Sequence, residues 1–147
     1  MRKVLILRVF LAVMSFFTIS CEVFTLDSVP YVMTGTFVME EGSSDYSICG
    51  VDFYLLNKSN KEIKNINIVF FLFDQDGEPA SECRSKISVD VDKNIDAGED
   101  CSFCLSLDKF MNSVPQTPLQ VDYLYLAKIE YEDGSEWEDP YGLVAFN

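Results

Sequence analysis

From Tyr31 onward, apolar and polar residues alternate with a period of two, the spacing of a strand with one buried face. Tyr31, Met33, Gly35, Phe37 and Met39 form one row, and Val32, Thr34, Thr36 and Val38 the other. Glu41–Asp45 reads as a turn. A second strand is expected over about Tyr46–Asn57, with Cys49, Val51, Phe53 and Leu55 on one face. The polar stretch Asn57–Lys61 follows, and its Asn-x-Ser sequence is read as turn chemistry. The third strand is the most apolar: Ile66, Ile68, Phe70 and Leu72 lie on one face, with Val69, Phe71 and Phe73 on the other. Such a strand is either central and covered twice, or it leaves an aromatic patch open.

Asp74-Gln75-Asp76-Gly77 ends that strand. Ile87, Val89 and Val91 alternate with Lys86, Ser88, Asp90 and Asp92, a half-buried strand closed by a turn at Asp96–Glu99. Cys101, Phe103, Leu105 and Leu107 then point inward, and Ser102, Cys104 and Ser106 outward. Asp108 to Asp122, with Pro115 and Pro118, is expected to form a short helical turn and a loop. A last clear strand covers Tyr123–Tyr131, where parity would set Tyr123, Tyr125 and Tyr131 on one face. Trp137–Phe146 would add an edge strand. Six or seven strands separated by turns predict an all-β, immunoglobulin-like sandwich of antiparallel strands over residues 31–147.

The first thirty residues read differently. Arg2 and Lys3 precede an apolar run whose uninterrupted part, Val9–Ile19, has 11 residues. As a helix it would rise only about 16 Å, half a bilayer core, which argues for a secretory signal over a membrane span. Thr18-Ile19-Ser20-Cys21 resembles a bacterial lipobox. That resemblance implies a signal peptide over residues 1–20, cleavage before Cys21, and a diacylglycerol thioether on the cysteine. Residues 21–30 would be a tether of at most about 30 Å. The alternatives are an ordinary secreted protein cut nearby, or an uncleaved anchor. An acylated Cys21 would tie the protein to a membrane and make it a resident of the cell envelope, periplasmic or on the outer-membrane side.

The chain has 147 residues, a net charge of −13 and no histidine. Removing residues 1–20 takes away Arg2, Lys3 and Arg8 and no acid, leaving −16. Such a domain repels nucleic acid and stands off an anionic membrane surface. Without histidine there is no imidazole base for a serine or cysteine nucleophile; Ser43, Ser44 and Ser135 lie in turns with nothing to activate them. No enzyme and no cofactor is expected.

Features across Gly50–Phe103 resemble the FxLYD family of small extracytoplasmic bacterial domains. Gly50-Val51 through Asn57-Lys58-Ser59 resembles its first strand and turn, and Phe70-Phe71-Leu72-Phe73-Asp74 its naming motif, with Phe73 where tyrosine is usual. Asp76-Gly77 and Ile95-Asp96-Ala97-Gly98-Glu99 with Phe103 resemble its later turns and strand. The resemblance implies a non-catalytic sandwich module.

Three groups of side chains are candidates for chemistry. Cys49, Cys83, Cys101 and Cys104 could form two disulfides, remain as buried thiols, or serve metal or redox chemistry. Cys49 and Cys101 both point inward by parity and are the first pair to expect, leaving Cys83 with Cys104. Asp74, Asp76 and Glu78 are the candidate calcium ligands of an alternative reading, a calcium-stabilised adhesion or ligand-binding module. Tyr125, Tyr131 and Trp137 are the candidate surface for an envelope protein or glycan partner, their alternative being an aromatic end to the core. The expectation is therefore a lipid-anchored, non-catalytic binding or structural module. A soluble secreted binding protein is the further alternative.

Overall fold

A computed structural model describes residues 29–146. The expected signal peptide, Cys21 and most of the expected tether lie outside the described residues. Seven strands form: β1 (Tyr31–Val38), β2 (Gly50–Asn57), β3 (Ile63–Phe73), β4 (Lys86–Ile95), β5 (Asp100–Ser106), β6 (Gln120–Tyr131) and β7 (Glu136–Glu138). Among the described residues the only helical element is a 3₁₀ turn, Asp108–Phe110, and no helix is long and apolar enough to cross a membrane.

The strands make two antiparallel sheets, β1-β2-β5 and β4-β3-β6-β7. This is an immunoglobulin-like sandwich: β1, β2 and β5 take the places of strands A, B and E, and β3, β6 and β7 those of C, F and G. β4 stands beside β3, where variable-type domains carry C′.

The core lies where the rows expected to face inward meet. Val51, Phe53 and Leu55 of the first sheet pack against Ile63, Ile66, Ile68, Phe70 and Leu72 of the second, all of them buried. Phe53 is the centrepiece, edge-on to Phe70 across the sandwich at 5.6 Å and tilted against Phe103 at 5.5 Å. Its partner across β1 is Gly35, where a Cβ would come within 2.8 Å of the Phe53 ring. The glycine thus makes room for the Phe53 ring.

Three boundaries differ from the sequence reading. β2 begins at Gly50, not Tyr46, because the Asp108 carboxylate captures the preceding backbone. It accepts the N–H groups of Ser47 and Ile48 at 2.7 Å each, and that of Cys49 at 3.4 Å. β6 begins at Gln120, three residues early. Trp137–Phe146 does not continue as an edge strand, since β7 ends at Glu138 and the chain then turns back over the sheet.

The Asn-x-Ser turn is a structural hub. Asn57 is fully buried, and its Nδ2 donates to the carbonyls of Lys61, Ile95 and Asp96 at 2.8, 3.1 and 3.0 Å. Its Oδ1 accepts the backbone N–H and the hydroxyl of Ser59. One amide therefore joins the β2–β3 turn to the β4–β5 turn.

Candidate functional site

The outer face of the four-stranded sheet carries an aromatic cleft of about 360 Å³. Its floor comes from β3, where Phe71 and Phe73 point away from the core and remain half-buried. Both options for β3 are realised on one strand, since Val69 on the same row is buried while the two phenylalanines stay partly open.

β6 supplies the walls through two irregularities. Lys128 pairs with Asn67 and Leu126 with Ile68, so Ala127 is an extra residue on β6. Tyr125 pairs with Val69 and Asp122 with Phe71, so Tyr123 and Leu124 together oppose Phe70. Each β-bulge shifts the in/out phase by one. Tyr131 and Ile129 consequently face the core, Leu126 and Leu124 face it after the first bulge, and Tyr125 and Tyr123 are turned outward. At the second bulge Tyr123 has φ 47°, a left-handed conformation that costs a non-glycine residue roughly 1–2 kcal/mol. Its N–H donates to the Asp122 carboxylate at 2.7 Å, and its ring is 53% exposed.

The far wall is the chain beyond β7. Asp139 is buried, and its carboxylate accepts the N–H groups of Leu143, Val144 and Ala145 at 2.8, 3.0 and 3.1 Å. This knot turns Phe146 onto the sheet, edge-on to Tyr123 and to Tyr125 at 5.8 Å each. Tyr123 also meets Phe71 at 5.8 Å and Phe73 at 6.2 Å. Tyr125 lies beneath Phe146 and donates its hydroxyl to the Pro140 carbonyl at 3.4 Å. Tyr141, 79% exposed, stands at the rim. Among the described residues the one charged group lining the cleft is Lys86, whose ammonium lies 5.8 Å from the Phe71 ring centroid.

The expected trio Tyr125, Tyr131 and Trp137 is thus divided. Only Tyr125 lines the cleft. Tyr131 is buried in the core, and Trp137 packs against the core, edge-on to Tyr31 at 5.8 Å. The shared face expected for Tyr123, Tyr125 and Tyr131 is corrected by the bulge at Ala127, which puts Tyr131 out of phase with Tyr125. Tyr123, Tyr141 and Phe146 were missed as a group. Their aromatic crowding near the C-terminus was a visible signal, but the bulges and the Asp139 knot that assemble them were not.

The cysteine pairing is also corrected. All four described cysteines are free thiols. Cys49 sits beside Leu107, whose N–H it accepts at 3.0 Å, whereas Cys101 pairs with Leu55. The two inward thiols are six strand positions apart, roughly 20 Å, where a disulfide needs Cα atoms within about 7 Å. Cys83 lies in the core while Cys104 is on the outer face of the other sheet, so they cannot join either.

Cys104, with Asp52 across from it, lines a more polar hollow of about 520 Å³. Burial and the Asp52 carboxylate push its thiol up to about 12, and burial with the nearby Asp108 charge lifts Cys49 to about 11. Both are protonated at neutral pH, the opposite of an activated nucleophile.

The acidic trio does not converge. Asp74 spends one carboxylate oxygen on the N–H groups of Asp76 and Glu78, at 2.9 Å each, closing its own turn. Among the described residues no three His, Cys, Asp or Glu side chains come together as a metal-holding group.

Comparison of the chain with protein-family models, curated proteins and solved structures finds no match. The aromatic cleft must therefore be read from its own chemistry.

Proposed function

We propose that this chain is an exported bacterial lipoprotein, anchored through Cys21, whose FxLYD-like sandwich is a non-catalytic binding module at the cell envelope. The binding surface in this reading is the cleft between Phe71, Phe73, Tyr123, Tyr125, Tyr141 and Phe146. One observation carries it. Tyr123 is held in a strained backbone conformation with its ring half open to solvent, among other rings on the rim of an apolar cavity. Strain of this kind persists where surrounding structure enforces it, and it concentrates at functional sites. The cavity lies at the lower end of the size range of small-molecule sites. The basic–apolar–Cys21 pattern of the N-terminus supports export and anchoring.

Two measurements test the two halves. Intact mass of the protein extracted from its host's membranes should give a chain beginning at Cys21 with added acyl mass; a chain without acyl mass overturns the anchor. For the cleft, the neutral probe 3-(4-fluorophenyl)propanamide is followed by ¹⁹F NMR on the protein in lipid nanodiscs, with empty nanodiscs as blank. Line broadening that Tyr123→Ala relieves is the expected result. Equal broadening in that variant overturns the cleft as the binding surface.

A further inference from the structure

The cleft has a polarity that narrows its ligand. Its walls are rings, and its polar groups are tyrosine hydroxyls and one ammonium, that of Lys86. Among the described residues no amide or carboxylate side chain lines it, Asp122 and Gln120 lining instead the adjoining hollow at Phe73 and Tyr123, so a sugar would find few of the acceptors and donors that its hydroxyls need. A cationic ligand of the kind held by aromatic cages would meet Lys86, which already occupies the face of Phe71. Lys86 opens β4 directly across from Phe71, which holds its stem against the sheet. Among the described residues the ion pairs are Lys61–Asp133, Lys64–Glu130 and Lys128–Glu136. Lys86 is in none of these pairs, in a chain where acids outnumber bases 24 to 11.

Resting on the reading of the cleft as a binding site, we infer that it takes a small organic acid with a flat apolar body. The body lies between Phe73, Tyr123 and Phe146, and its carboxylate meets the Lys86 ammonium. The volume allows roughly a dozen heavy atoms at a water's share of about 30 Å³ each. The exposed Lys86 ammonium beside apolar walls gives a charge-assisted contact that the amide of the same acid cannot make.

The test compares 3-(4-fluorophenyl)propionate with its amide, by ¹⁹F NMR on the full chain in nanodiscs. The acid should bind about fivefold more tightly, the upper end for an exposed ion pair. Lys86→Gln should bring the two within twofold of each other, while Tyr123→Ala weakens both. The acid–amide comparison is made on the unaltered protein, so it does not depend on how either variant folds. Equal binding of acid and amide overturns the anion preference and leaves the cleft standing as an apolar site. Binding of neither probe overturns both.

Discussion

The phenol oxygen of Tyr31, the first residue of β1, accepts the backbone N–H of Leu126 on β6 at 2.9 Å. The bond crosses from one sheet to the other between residues far apart in sequence, and both partners are buried. It answers a need created by β6 itself, because a bulged strand leaves ladder groups that must find partners elsewhere. Burial raises the Tyr31 hydroxyl above its ordinary range, so it remains a neutral phenol at neutral pH.

Tyr31→Phe keeps the ring and its edge-on packing against Trp137 but strands the Leu126 N–H. A buried donor left without a partner costs about 1–3 kcal/mol. Urea unfolding should show a midpoint lowered accordingly. Trp137, the chain's one tryptophan, reports the transition by fluorescence.

Asn57 separates two effects that usually travel together. Asn57→Ala removes donors from three carbonyls and should destabilise by about 3 kcal/mol or more. Asn57→Asp is nearly isosteric, yet it turns a carboxylate oxygen toward those same carbonyls and should be the worse of the two. Denaturant midpoints of both variants give the order; a milder Asp variant would mean the Asn57 amide is not the hub described.

Tyr123 inverts a common rule. In a strand interior, alanine is normally better than glycine, by roughly 0.5–1 kcal/mol. At φ 47° the ranking reverses, and Tyr123→Gly should be more stable than Tyr123→Ala by about 1 kcal/mol. Thermal melts of the pair decide it.

The pH limits follow from two kinds of group. Asp108 is held below its ordinary value of 3.8 by the backbone N–H groups of Ser47 and Ile48, and Asp133 is lowered to about 2 by Ser135 and Lys61. A carboxyl depressed in the folded state contributes stability above its unfolded value and loses it as pH falls through the folded one. Acid destabilisation should therefore set in below about pH 4, and Asp108→Asn should flatten that slope. Cys49 and Cys104 act at the other end. Their folded values of about 11 and about 12 exceed the ordinary 9.0, so their contribution is complete below pH 9 and is lost as pH rises through the folded values. At pH 8 both thiols should react slowly with iodoacetamide in the native protein. In urea, without reductant, all four described cysteines should be alkylated.

How far the sequence could be read depended on whether alternation was interrupted. β1, β2, β4 and β5 keep their phase and β3 slips only at its start, between Ile63 and Asn65, so the inward rows of Phe53, Ile68, Phe70 and Ile87 were legible from period two alone. β6 breaks phase twice at residues that carry no glycine or proline to mark the bulge, so Tyr131 was placed with Tyr125. Parity also says which face a side chain takes but not its height along the strand. That is why Cys49 and Cys101 looked like partners although register holds them at opposite ends of one sheet. The buried Asp139 was unreadable for another reason: its N–H partners lie in the short apolar run Leu143–Phe146, which reads as an edge strand.

The two bulges of β6 have a joint effect that neither has alone. Two shifts of one residue restore the original phase, so Val121 and Ile129, at the two ends, face the core on the same odd-numbered beat. Only the stretch between them is reversed. Removing the extra residue at each bulge, Ala127 and Tyr123, would leave the pairing of Leu126, Tyr125 and Asp122 with β3 unchanged, so Leu124 and Leu126 would stay in the core and Tyr125 on the outer face. The two extra residues are thus what lets Tyr125, of the same parity as the core-facing Val121 and Ile129, stand on the outer face of an otherwise ordinary sandwich.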